Sequence, residues 1–209
     1  MSVRNVATKT NLMNLSRELE FARLGYELLD QKRNILVLEL LAMVDQATDY
    51  EKQVQKALAK AFSSFEQSVL NGGKLQLMNV TGAVDISSSI SLRQRKVMGV
   101  RLPVVETEFH ENPPYFSPAG TSFWVDDSIE GFKDALKLMG RLAELKVSIF
   151  RLAREVKRTI RKVNALERIA IPELDIAVKQ IRERLEENER EMFTLMKLVK
   201  TRLEQKEGL

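Results

Sequence analysis

The chain has 209 residues, with 33 Lys and Arg against 29 Asp and Glu, one His and no Cys. Zero cysteine excludes disulfides, thiol nucleophiles and thiolate metal sites, and a single histidine leaves little for zinc ligation or imidazole catalysis. Charged residues make up 30% and aromatics 6% of the chain, against about 25% charge in an average domain, which is the profile of long helices and coiled coils. The net charge of +4 permits an acidic partner without requiring one. No run of about 18 apolar residues exists to span a bilayer. The N-terminal stretch MSVRNVATKTNLMNL lacks the apolar core of a signal peptide, so a cytoplasmic chain is expected.

From Leu12 the apolar residues follow alternating steps of three and four: Leu12, Leu15, Leu19, Ala22, Tyr26, Leu29, Arg33, Leu36, Leu40, Met43, Ala47, Tyr50, Val54, Ala57 and Ala61. Only Arg33 breaks the series, which is a coiled-coil seam without a proline and with Gly25 as its one glycine. The spacing predicts a helical rod over residues 12–68.

Residues 70–128 hold five of the nine glycines and four of the five prolines, so the rod stops there. KLQLMNV, AVDISSSISL and KVMGVRLPVVETEF are strand candidates, rich in β-branched residues between Gly and Pro. HENPPYFSPAGTSFWVDD reads as a loop. The aromatics in and beside it, Phe109, Tyr115, Phe116, Phe123 and Trp124, are expected to form a small local core, with an exposed docking patch as the alternative.

A second rod begins near Ile129. Its seam runs Leu142, Leu145, Ile149, Leu152, Val156, Thr159, Val163, Leu166 and Ala170, then resumes as Leu174, Val178, Ile181, Leu185, Asn188, Met192, Leu195 and Val199. Ala170 is followed by Leu174 where the alternation requires position 173, a 3-4-4-3 stutter beside Pro172. A stutter unwinds a supercoil locally and a proline bends a helix. A bent but continuous helix is the expectation.

An amphipathic rod is stable mainly through packing its apolar face. The two rods are therefore expected to fold back on each other, giving a mainly α protein: a long antiparallel two-helix coiled coil with a small middle segment containing a β-hairpin. The segments are 1–69, 70–128 and 129–209. Charge agrees, since residues 12–68 carry an acidic excess and residues 141–168 a basic one. Closing the hairpin near residues 68 and 130 places Glu51 near Lys146, Arg33 near Glu167 and Leu12 near residue 186. Arg33–Glu167 is the expected register-fixing pair, and the last twenty or so residues overhang as a single helical tip.

No catalytic constellation is visible. His110 stands alone with Glu108 and Glu111 in the expected loop and is read as solvated. LNGGKLQ lacks the spacing of a phosphate-binding loop and reads as a turn. The basic face Arg151, Arg154, Lys157, Arg158, Arg161 and Lys162 has no interleaved aromatics for base stacking, so an acidic protein partner fits it better than a nucleic acid.

Three stretches then bring a family into view. TKTNLMNLSRELEFARLGYELLDQKRNIL (Thr8 to Leu36), MGVRLP (Met98 to Pro103) and RKVNALERIAIPEL followed by LEENEREMFTLMKLVK resemble, in order, the signatures of the D subunit of V/A-type ATPases and ATP synthases. The family commonly has Pro, Lys and Asp where this chain has Ala7, Asp30 and Asn34. The resemblance implies a central rotor shaft whose termini insert into a hexameric head of A and B subunits. A small F subunit packs on the shaft, and a funnel-shaped subunit seats it on the membrane ring. ATP chemistry then lies between A and B, with no catalytic, cofactor or metal residue in this chain. The chain is expected to be peripheral to the membrane, coupling ATP hydrolysis or synthesis to ion transport. Position and motif mark Arg4, Lys9, Arg158, Arg161, Lys162, Asn164, Glu167, Glu189, Arg190, Lys197, Lys200 and Arg202 as partner contacts. Arg33, Glu167 and Pro172 would set register and bend, making the shaft an eccentric cam. A coiled-coil scaffold is the alternative reading, and a nucleic-acid-binding helical protein the less favoured third.

Overall fold

The computed structural model describes residues 6–117 and 121–207. The elements run α1 (Lys9–Gly72), α2 (Lys74–Ala83), β1 (Ile86–Val97), β2 (Val100–Glu111), α3 (Phe123–Ala165), a π-helical turn (Leu166–Ala170) and α4 (Ile171–Glu207). Two long helical segments flank one antiparallel β-hairpin, as expected. The chain forms two compact units, Met1–Arg33 with Arg158–Leu209, and Asn34–Lys157.

In the first unit the start of α1 lies antiparallel to α4. Leu15, Leu19, Val178 and Ile181 are buried together, with Leu12, Leu174 and Leu185 packed around them. Arg23 reaches Asp175 at 3.2 Å and Lys9 reaches Glu189 at 2.8 Å, in the register that the closing point of the hairpin predicts. Arg33 lies 2.7 Å from Asp30, one turn earlier on its own helix, an i,i+3 contact that needs no cross-helix reach. Glu167 is exposed, and Asp30 is one of the positions where the chain departs from the pattern it resembles.

In the second unit the seam residues Leu36, Met43, Ala47, Val54 and Ala61 of α1 are buried, as are Leu145, Leu152 and Val156 of α3. Glu51 accepts from Lys146 at 3.3 Å, as expected. Towards the turn the helices approach closely: a Cβ on Gly131 would sit 3.1 Å from Ala61 Cβ and 3.3 Å from its Cα. Phe62 and Phe132 meet edge to face beside this crossing, with centroids 5.2 Å apart.

The middle segment departs from expectation in four respects. KLQLMNV folds as helix α2, not a strand. Gly73, at φ 75°, breaks the chain after α1. The good helix formers Lys, Leu, Gln and Met then follow, and Leu77 is buried. Leu77 and Val80 line an apolar pocket of about 370 Å³ together with Phe65, Val125 and Phe132. Helix α3 begins at Phe123, inside the expected loop. The Ser122 hydroxyl accepts from the Trp124 N–H at 3.4 Å, and Asp126 sits in the first turn, where a negative charge favours a helix start. His110 lies in β2, opposite Ser87, and is exposed. The aromatics do not form one core either. Phe123 is 74% exposed, whereas Phe109 and Tyr115 are half-buried beneath Lys137 and Lys133.

The hairpin turns through Met98 (φ 46°) and Gly99 (φ 83°), two left-handed residues between the paired Val97 and Val100. That is the conformation whose twist suits a two-residue hairpin. β2 then runs along α3. Leu102 is fully buried among Leu36, Met43, Leu152 and Val156. Arg151 donates to the Arg101 carbonyl at 2.8 Å. Glu144, only 2% exposed, accepts from the Val105 N–H at 3.0 Å and from Arg141 at 2.6 Å. Farther along, a Cβ on Gly140 would meet Thr107 Oγ1 at 2.9 Å, so glycine lets the strand lie flat against the helix. Glu111 closes the strand by pairing with Lys133 and accepting from the Tyr115 hydroxyl. The Lys133 bond, then the Tyr115 bond, holds the Glu111 carboxyl below its ordinary value, while lost hydration and then Glu111 push the Tyr115 hydroxyl up to about 12.

Two outcomes follow from this docking. Glu144→Ala leaves the Val105 N–H without its acceptor and should cost about 1–3 kcal/mol. Amide exchange should rise at Val105, with protection at Leu36 and Leu152 retained. Equal loss at all three would mean that the hairpin and the seam unfold as one. The Glu111–Tyr115 link is present above the ordinary carboxylate value of 4.5 and is lost as pH falls through the lowered Glu111 value. At the alkaline end it is lost as pH rises through the raised Tyr115 value of about 12. An absorbance titration, with Tyr115→Phe subtracted, should show this tyrosinate forming near 12. In Glu111→Gln it should form closer to 10, the ordinary tyrosine value, and an unmoved titration would contradict the link.

Candidate partner interface

All the partner candidates number within the first unit, and Arg4 among them lies outside the described residues. Lys9 opens α1 and Glu189 faces it across the seam. Each stabilises the charged form of the other: Glu189 raises the Lys9 ammonium, and Lys9 lowers the Glu189 carboxyl. Both are largely exposed, so the pair adds little stability. Asp175 is held below the ordinary carboxylate range by Lys179 first and by Arg23 across the seam second.

Arg158, Arg161 and Lys162 project into solvent from α3, and Asn164 is half-buried beside them. Glu167 is exposed in the π-turn, and Pro172 is exposed as the second residue of α4. Arg190, Lys197, Lys200 and Arg202 are exposed on α4, with Arg190 3.9 Å from Glu186. The candidates therefore separate into a basic patch before the π-turn and a charged tip after it, rather than converging on one pocket. Among the described residues no cluster of His, Asp or Glu could hold a metal ion. No described helix is long and apolar enough to cross a membrane.

From Glu186 to Leu203 every residue is exposed. That stretch includes Met192, Phe193, Leu195, Met196, Val199 and Leu203, each more than half exposed. Exposed apolar area on this scale marks a surface made to be covered. Sequence reasoning found Met192, Leu195 and Val199 as seam positions but passed over Phe193, Met196 and Leu203. It also missed Phe21, Leu24 and Leu28, exposed at helical spacing on α1. The signal was there: these apolar residues fall outside the one seam a two-helix core can bury.

Residues 11–201 match the family model for the ATP synthase D subunit. The A-type ATP synthase D subunit of Thermococcus gammatolerans is 35% identical over 204 residues, covering 96% of this chain and 95% of its own length. The D subunit of Pyrococcus furiosus is 33% identical over 205 residues, with 97% and 96% covered. That of Methanosphaera stadtmanae is 32% identical over 203 residues, with 96% and 95% covered. These matches run through both seams, the hairpin and the exposed tip without a large gap in coverage, and so the chain belongs to the ATP synthase D-subunit family.

Proposed function

We propose that the chain is the central rotor stalk of a V/A-type rotary ATPase or ATP synthase, coupling ATP turnover in a head of A and B subunits to ion transport. The observation that carries this reading is the tip: a helix whose described apolar residues are left uncovered from Glu186 onward, around and beyond the cross-helix pair Lys9–Glu189. A socket in the A/B head, wide enough for little more than one helix, would cover them. The chain supplies geometry and torque, and ATP chemistry stays between A and B. A single asymmetric shaft in a threefold head contacts the three catalytic sites unequally, so each rotation step shifts the population of their states.

Torque transmission requires helices that do not slide past each other. Interdigitated seams and the cross-helix pairs Lys9–Glu189 and Arg23–Asp175 in one unit, and Glu51–Lys146 in the other, resist such sliding. The exposed basic residues Arg158, Arg161 and Lys162 suit acidic or carbonyl-rich loops of the head, which steer the shaft without locking it. The F subunit would pack on the shaft, and the funnel-shaped subunit would seat its middle segment toward the membrane. The chain itself would lie on the cytoplasmic side, peripheral to the membrane. Pro172 and the adjoining turn would give the shaft the eccentricity of a cam.

Removing residues 190–209 spares every buried residue among those described, and the Lys9–Glu189 pair as well. The thermal midpoint of the isolated chain should stay nearly unchanged. Its stimulation of A/B hexamer ATPase in the presence of F should fall by roughly tenfold or more, as expected when an anchoring cluster is lost. Full stimulation by the truncated chain would contradict the proposed seating of the tip.

A further inference from the structure

The second seam changes phase inside the first unit. Thr159 and Val163 are buried and Leu166 and Ala170 half-buried, in alternating steps. Continued unchanged, the alternation would bury residues 173, 177, 180 and 184. Glu173, Gln180 and Arg184 are instead exposed and Ala177 only half-buried, whereas Val178 and Ile181 are buried with Leu174 and Leu185 half-buried. The buried stripe has advanced by one residue. Helix α1, on the other side of the seam, keeps its steps through Leu15, Leu19 and Ala22, all buried.

The surplus residue is held where the chain leaves α-helical geometry. Leu166–Ala170 is a π-turn, closed by the Ile171 N–H donating to the Leu166 carbonyl five residues back. Such a turn takes one more residue than an α-turn while the helix continues beyond it. None of its residues is fully buried, and Leu166 and Ala170 are half-buried. Pro172 follows at once. It has no N–H to offer the Arg168 carbonyl, and its ring would crowd that carbonyl in a regular α-helix. A wide turn just ahead relieves both problems.

We propose that Leu166–Ala170, held by Pro172, is a phase-setting device. It stores one residue so that everything after it keeps the correct face toward α1. Without that storage α4 would arrive rotated by about 100°. Leu174, Val178 and Ile181 would leave the seam, and the stripe through Met192, Leu195 and Val199 would point elsewhere. The stretch that carries the family signature, RKVNALERIAIPEL, is thus the stretch that fixes the azimuth of the tip. The inference concerns the chain's own geometry and stands whether or not the chain is a rotor.

Single-residue deletions in the full chain test it, with Lys9→Cys and Glu189→Cys as a reporter. The chain has no other cysteine, so oxidation to a disulfide reads the facing of this pair alone, and its rate is first set in the otherwise unaltered chain. Deleting Ile169 together with Pro172→Ala should convert the π-turn to plain α-helix without changing phase. Disulfide formation should stay within about twofold, with an unchanged cooperative melt. Deleting Arg182, an exposed residue outside the turn, should rotate the rest of α4 and slow the disulfide by roughly tenfold or more. Loss of the disulfide or of folding in the Ile169 deletion would overturn the proposal. So would a disulfide that forms equally fast in the Arg182 deletion, since phase would then not matter.

Discussion

A two-helix seam buries only one stripe of each helix, and the rest of the structure answers to that limit. Leu36, Leu152 and Ile181 are fully buried because each has a partner helix opposite. Fully burying a side chain of this size contributes about 1.5–3 kcal/mol, so the seam supplies most of what stability two helices can share. Nothing remains to cover a second stripe. The hairpin supplies a third layer along α3, entering the core through Leu102 and tethered by the buried Glu144 carboxylate. Where no third layer is present, as at Phe21, Leu24 and the tip of α4, apolar side chains face water.

Much of this is legible in sequence because a heptad is a long, redundant signal. Leu15, Leu19, Leu36, Met43, Val156, Val178 and Ile181 are buried seam positions expected from spacing alone. The register of Glu51 with Lys146 also follows from the seam and its closing point. Short signals carried less. KLQLMNV was open to either period, and burial of Leu77 with the break at Gly73 decided for helix. The start of α3 depends on the Ser122 cap and Asp126 rather than on periodicity. Arg33 lies 2.7 Å from Asp30 on its own helix, a local contact that the cross-seam spacing does not reveal. Glu144 was hidden in the charge of an outer face, because its burial depends on where the hairpin lands.

The candidate partner residues leave only a diffuse mark in the sequence for a related reason. A convergent site leaves a constellation of titratable groups, but a shaft touches its partners along a face. The exposed Arg158, Arg161 and Lys162 look in sequence like any solvated helix surface. Uncovered apolar residues are the sharper sign, since water leaves their exposure unrewarded. Their concentration after the Lys9–Glu189 pair sets the tip apart from the rest of α4.

Rotation is the property on which the stalk reading rests, and it can be observed directly. Ser89 is exposed on β1, and the chain has no native cysteine, so Ser89→Cys carries a bead at one defined point. With the A/B head fixed to a surface and the chain assembled with F, ATP should drive stepwise rotation of the bead in one direction. A bead that stays still above a head actively hydrolysing ATP would contradict the stalk role.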